Sequence, residues 1–185
     1  CTAFIFHYMD NIFWKEISEA KESGNLERMR TLYRKASRFL FSFGALSAGL
    51  LVPWSEEIVR LMLGPSYIES SPVLVAMLIY SAFRSLGILN ISMMLATSKT
   101  KANFIFGSIL MITSIPCSYF ILAPENAYIP GFGLGSLGLS IKLVIFSIIS
   151  SNSISWWISQ DYGWSFSWVY QIAALGGSLS CGWFS

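Results

Sequence analysis

The chain has 185 residues, of which 12% are charged and 54% hydrophobic, with a formal net charge of +2 and a mean hydropathy of +0.58. An average globular chain is roughly 25% charged, so a water-soluble fold of this size would lack the polar groups needed to cover its surface. The composition therefore excludes an ordinary soluble domain, gives no sign of a nucleic-acid partner, and points to the lipid bilayer.

The opening stretch, CTAFIFHYMDNIFW (residues 1–14), reads as the last turns of a transmembrane helix truncated at its outer half. Within it His7 and Asp10 fall three apart on one helical face, a spacing suited to a polar pair at a helix end. Residues 15–38 read as a cytoplasmic amphipathic segment. A Gly24-Asn25 break interrupts it, and Asn25 can cap a helix whose apolar positions are Leu26, Met29, Leu32 or Tyr33, and Ala36. Such a helix suits the inner headgroup layer; a solvated charged helix is the alternative. Residues 39–185 read as a transmembrane bundle with spans at about 39–60, 73–95, 104–123, 137–158 and 164–185. Twenty helical residues cover roughly 30 Å, the thickness of the hydrocarbon layer. The second, third and fourth runs meet that length, whereas Pro53 cuts the first one short. The fold class is thus all-α, a polytopic transmembrane helix bundle.

Charge sets the orientation. Arg28, Arg30, Arg34, Lys35 and Arg38 crowd against the uncharged run Phe39–Trp54, and bases beside a span mark its cytoplasmic end. The next connection holds Glu56, Glu57 and Glu69 against Arg60 and reads as outside. ATSKTKAN, with Lys99 and Lys101, reads as inside. The loop with Glu125 and no base reads as outside, and SQDYGW, with only Asp161, should be inside.

Most motifs carry no chemistry. Gly133, Gly135 and Gly138 form a G-x-G-x-x-G pattern, but a dinucleotide site needs a preceding strand. Here a proline-bearing loop precedes it, so the glycines read as a flexible helix start, with Gly138 permitting close helix packing. Cys1, Cys117 and Cys181 are scattered and read as small apolar residues. Gly44 and Ala48, and Ala45 and Gly49, place small residues four apart, the spacing that lets helices approach in lipid. Pro116 should kink its span. No motif calls for a metal or a cofactor, and nothing assembles a catalytic group. A membrane-embedded glycan polymerase or ligase would have to use Glu56, Glu57 and Glu69.

Two intramembrane cations stand out. Arg84 lies at the midpoint of 73–95, and Lys142 about one and a half turns into 137–158. A cation at the bilayer centre costs on the order of 2.5–3.5 kcal/mol on insertion scales, so such residues need a polar cavity or a partner. At 100° per residue Ser81, Ser85 and Ser92 share an arc with Arg84, with Asn90 on the opposite side. Lys142 shares a face with Ser153 and Gln160 and is shallow enough to snorkel. The runs 39–52, 73–95, 104–123 and 137–158 contain no Asp or Glu. Bilayer-depth charge of one sign favours an anionic substrate, such as a pyrophosphate or acidic sugar, over a cationic drug.

The stretches GNLERMRTLYRKASRFL, LGPSYIESSPVLVAMLIYSAFRSLGILNISMMLATSKTK, SIPCSYFILAP and GLGSLGLSIK resemble the C-terminal half of bacterial lipid-linked oligosaccharide flippases. These are the O-antigen and exopolysaccharide transporters of the multidrug/oligosaccharidyl-lipid/polysaccharide exporter superfamily. The resemblance implies twelve to fourteen helices in two lobes around a central cavity, working by alternating access in the bacterial inner membrane. It implies as cargo a glycan on polyprenyl pyrophosphate, moved from the cytoplasmic to the outer leaflet. The present spans would be the ninth to twelfth, with part or all of a thirteenth, and the missing N-terminal lobe would be a partner. Basic residues line the cavity in this family, and Arg84 and Lys142, with Ser81 and Ser85, suit substrate binding by position. A multidrug or metabolite exporter of the same superfamily is the alternative.

Overall fold

The computed structural model describes residues 13–124, 130–164 and 168–183. Among them the chain is all-helical and contains no strand. Helical residues 13–22 (α1) lead through a turn at Ser23 and Gly24 into α2 (Leu26–Leu51). The remaining elements are α3 (Ser55–Leu63), a 3-10 turn (Pro65–Ser70), α4 (Ser71–Ala96), α5 (Thr100–Leu122), α6 (Gly135–Asp161) and α7 (Trp168–Trp183). The expected pieces on residues 1–12, including Cys1, His7 and Asp10, and the Glu125 loop lie outside the described residues.

Three stretches are long and apolar enough to cross a membrane: Pro65–Ala96, Thr100–Leu122 and Gly135–Asp161. A fourth is reached if α2 and α3, bent by 75° at the break between them, count as one. The span expected at 39–60 is thus interrupted, because α2 ends at Leu51 and Pro53, which cannot donate a helical hydrogen bond, sits in the turn. The helix does not break at residue 38, where the amphipathic segment was expected to meet the first span. Asn25 caps α2, its side chain accepting from the Arg28 amide at 2.9 Å. From there no proline or helix-breaking pair intervenes, so the basic stretch and the apolar run form one rod of about 39 Å. Within the stretch 164–185 the described residues form α7, whose 16 residues cover about 24 Å.

Side-chain pairing sets the topology. Tyr33 meets Asn90, Phe41 meets Phe83 at 5.4 Å, and Gly44 meets Ala82, so α2 and α4 run antiparallel. Phe106 meets Trp157 and Ser118 meets Lys142, so α5 and α6 are antiparallel too. Ser42 meets Tyr170 and Gly49 meets Ser178, which makes α7 parallel to α2. Asp161 at the end of α6 pairs with Lys99 at 3.0 Å, so the SQDYGW and ATSKTKAN loops lie at one end of the bundle, as alternating spans require.

Small residues set the closest approaches. A Cβ at Gly44 would stand 2.8 Å from Ala82 Cα, and one at Gly49 would overlap the Ser178 carbonyl. These two glycines let α2 pack against α4 on one side and α7 on the other, the role their spacing predicts. Gly138 does the same between α6 and α5, where a Cβ would come 2.7 Å from Ile121 Cγ2. The largest core lies at the basic end. There Phe13, Ile17 and Ala20 of α1 join Met29, Leu89, Met93, Met94, Ile154 and Ile158. Lys21 locks α1 onto the α4–α5 turn, its ammonium donating to the Thr97 carbonyl at 2.5 Å and Ser98 Oγ at 3.1 Å. The segment before the first apolar run is therefore packed on the bundle. By contrast α5 buries no residue, and Phe104, Met111, Ile112 and Ile115 stand exposed. An exposed helix of that composition is stable only against lipid or another apolar surface.

Candidate functional site

Arg84 lies at the middle of α4, a helix running from Ser71 to Ala96. Its side chain is exposed and lines an open cleft of about 260 Å³ between α4, α5 and α6. Helical geometry explains the lining. Tyr80, Gly87 and Ile91 stand at i−4, i+3 and i+7 from Arg84, on one stripe of α4. Facing them are Met111 and Ser114 of α5, and Phe146, Ser147 and Ser150 of α6. A Cβ at Gly87 would meet nothing within 4 Å, so this stripe of α4 borders open space. Among the described residues the ion pairs are Arg28–Glu16 and Lys99–Asp161, so no carboxylate neutralises Arg84. A guanidinium presents five donors in a planar fork. Such a fork has the geometry to pair with a bidentate anion in a cleft of mixed apolar and hydroxyl walls.

The two serines expected to join Arg84 bond to backbone carbonyls. Ser81 is exposed and donates to its own helix at Leu78 O, 2.7 Å away. Ser85 is buried against α2, donating to Ala82 O at 2.7 Å and reaching Leu40 O at 3.5 Å. Neither lines the cleft. A helical serine satisfies its hydroxyl on the preceding turn, so its presence does not mark a polar face. The true face runs to the other side of Arg84, through Tyr80 and Gly87. Helical spacing from Arg84 offers both sides, through Tyr80 and Gly87 or through Ser81 and Ile88, and only the packing of α5 and α6 selects the first.

Lys142 does not snorkel. It is buried, and its ammonium donates to Ser114 Oγ at 2.6 Å, Ser118 Oγ at 2.5 Å and Ser114 O at 3.1 Å, while resting 5.2 Å from the Phe146 ring centre. All three donors are used, so Lys142 clamps α6 to α5 and has none free for a ligand. Its partners are on α5. Ser114 also lines the Arg84 cleft, so the ammonium stands directly behind the cleft wall and adds positive potential to it.

Asn90, placed opposite Arg84 by the helical wheel, is wholly buried at the junction of three helices. Its amide donates to Ser151 O at 2.8 Å and Ser155 Oγ at 2.9 Å, and its carbonyl accepts from the Tyr33 hydroxyl at 2.6 Å. This network joins α2, α4 and α6 behind the cleft and fixes the stripe that carries Arg84. Cys117 is half-buried and unpaired, and Cys181 is outside the described side chains. Glu56, Glu57 and Glu69 are exposed on α3 and the turn after it. The glycine pattern at 133–138 opens α6, with Gly133 and Gly135 at φ +58° and +55°, and has no strand before it among the described residues.

No protein-family model, no curated protein and no solved structure matches the chain.

Proposed function

We propose that this chain is one lobe of a two-lobe, 12–14-helix membrane transporter that moves an anionic, lipid-linked glycan across the bacterial cell membrane. The cargo in this reading is an oligosaccharide on polyprenyl pyrophosphate, carried from the cytoplasmic to the outer leaflet for surface polysaccharide synthesis. The observation that carries the reading is Arg84. It stands at the midpoint of a membrane-length helix, exposed in an open cleft with no carboxylate against it among the described residues. An unpaired cation at that depth costs on the order of 2.5–3.5 kcal/mol, a penalty that a passing phosphate or acidic sugar would offset. Lys142 supports the same sign of charge from behind the wall. Tyr80 and the serines at 114, 147 and 150 supply hydroxyls suited to sugars, and the missing lobe would close the cleft into a cavity.

The test is Arg84→Ala in the full-length protein, measured as surface glycan and as membrane-inserted protein. The expected result is loss of glycan export with insertion unchanged. Export at the normal level would remove Arg84 from the pathway and the proposal with it.

A further inference from the structure

A second basic feature lies on the other side of the α4–α6 seam. Arg30, Arg34 and Arg38 stand at i, i+4 and i+8 on α2, so consecutive Cβ atoms are about 5–6 Å apart on one stripe. Like charges at that spacing repel. The neighbouring Arg28 is neutralised by Glu16 at 2.6 Å, but none of the three has a carboxylate partner among the described residues. A basic end to a span needs only bases near the membrane face. It does not need them in one row, and it does not need them turned into a pocket.

Here they are. All three line a cavity of about 80 Å³ between α2, α6 and α7, together with Ser159, Trp164 and Gln171. Roughly 10–15 Å³ of such volume holds one water, so a tetrahedral oxyanion fits. The Arg38 guanidinium lies over the Tyr170 ring, 5.1 Å from its centre, which holds the group in place while its N–H edges remain able to donate. The Tyr170 hydroxyl is fixed in turn against Ser42 Oγ at 2.5 Å. Aromatic walls at Tyr33, Trp164 and Tyr170 lower the local dielectric and strengthen attraction to an anion. Leu86 and Ser155 face this pocket whereas Arg84 and Ile154 face the cleft, so the two sites are separate.

We propose that the Arg30–Arg34–Arg38 row is a binding site for a phosphate-bearing anion at the basic end of the bundle. The ligand is a phosphate monoester or diphosphate group, either free or on a lipid headgroup. Three guanidinium forks stacked along a helix match several oxygens of one such group, which a single carboxylate would not satisfy.

The 185-residue chain in phosphatidylcholine nanodiscs provides the test, read by phosphorus NMR without any transport step. One arm titrates inorganic pyrophosphate; the other includes phosphatidic acid in the disc. A bound phosphorus signal is expected in at least one arm: the pyrophosphate arm assigns a soluble ligand and the phosphatidic acid arm a headgroup. Among the described residues the Arg34 side chain is exposed and makes no hydrogen bond or ion pair, so R34Q should fold, with helicity as the check. It should weaken binding about tenfold, as loss of one charged hydrogen-bonding group implies. R30Q/R34Q/R38Q should abolish it. K15Q/K35Q/K101Q removes equal charge from exposed positions outside the pocket and should stay within about twofold of the unaltered chain. No bound signal in either arm, equal binding by the triple arginine variant, or an equal loss in the lysine variant would overturn the proposal.

Discussion

Asn90→Ala tests whether the buried amide holds the three helices together. The substitution removes hydrogen bonds to three partners across helix boundaries: from Tyr33 at 2.6 Å, to Ser151 O at 2.8 Å, and with Ser155 Oγ, which stands 2.9 Å from the amide nitrogen and 3.2 Å from the amide oxygen. Interhelical hydrogen bonds in membrane proteins average about 0.6 kcal/mol and reach about 1.7. Three of them therefore sum to about 2 kcal/mol, and the void left by the amide adds somewhat under about 1 kcal/mol at ~24 cal/mol per Å³. The expected loss is about 2–3 kcal/mol. Tyr33→Phe removes one of the three bonds and should cost about 0.6–1.7 kcal/mol. In the double variant that bond is already gone, so the costs should not add, and the cycle should show coupling of about 0.6–1.7 kcal/mol. The assay is unfolding in mixed micelles by added SDS, followed by far-ultraviolet circular dichroism. Strict additivity of the two changes, or a cost for Asn90→Ala within about 0.5 kcal/mol, would show that the amide does not join α2 to α6.

Other perturbations read different parts of the bundle. Gly44→Leu forces a side chain into Ala82 across the α2–α4 seam and should cost about 1–3 kcal/mol or more in the same unfolding assay. Gly87 borders open space, so Gly87→Ala should raise stability by about 0.5–1 kcal/mol through helix propensity. Gly87→Trp would fill the cleft beside Arg84 and should stop export by the full-length protein without impairing insertion. Lys142→Met should change stability by less than about 1.5 kcal/mol, because a long apolar side chain replaces the buried ammonium and the serines can bond to their own helix. Ser114→Ala with Ser118→Ala leaves that ammonium without two acceptors and should cost about 2–3 kcal/mol, measured the same way. Asp161→Asn breaks a partly exposed pair with Lys99 and should cost at most about 1 kcal/mol, a difference that shrinks in high salt.

How much of this was legible beforehand follows from the range of each interaction. Helices α4, α5 and α6 fall within a few residues of the apolar runs, because a long uncharged run and a helical rise of 1.5 Å per residue decide membrane length locally. The Asn25 cap and the close-packing roles of Gly44, Gly49 and Gly138 were also readable, since each rests on a local pattern. Arg84 was readable as a cation with no acid in its span.

Composition and spacing alone decided that the chain is helical, with helices long and apolar enough to cross a membrane, where its cations fall along them, and where helices can touch, because these depend on local composition and on neighbours within a turn or two. Which way each helix face turns was decided only in three dimensions. Ser81 bonded to its own helix, Ser85 was buried against α2, Lys142 was consumed by Ser114 and Ser118, and Asn90 became the centre of the bundle. A hydroxyl or ammonium takes whichever acceptor packing brings within about 3 Å. For Lys142 that acceptor lies 24 to 28 residues away along the chain, and for Asn90 as far as 65.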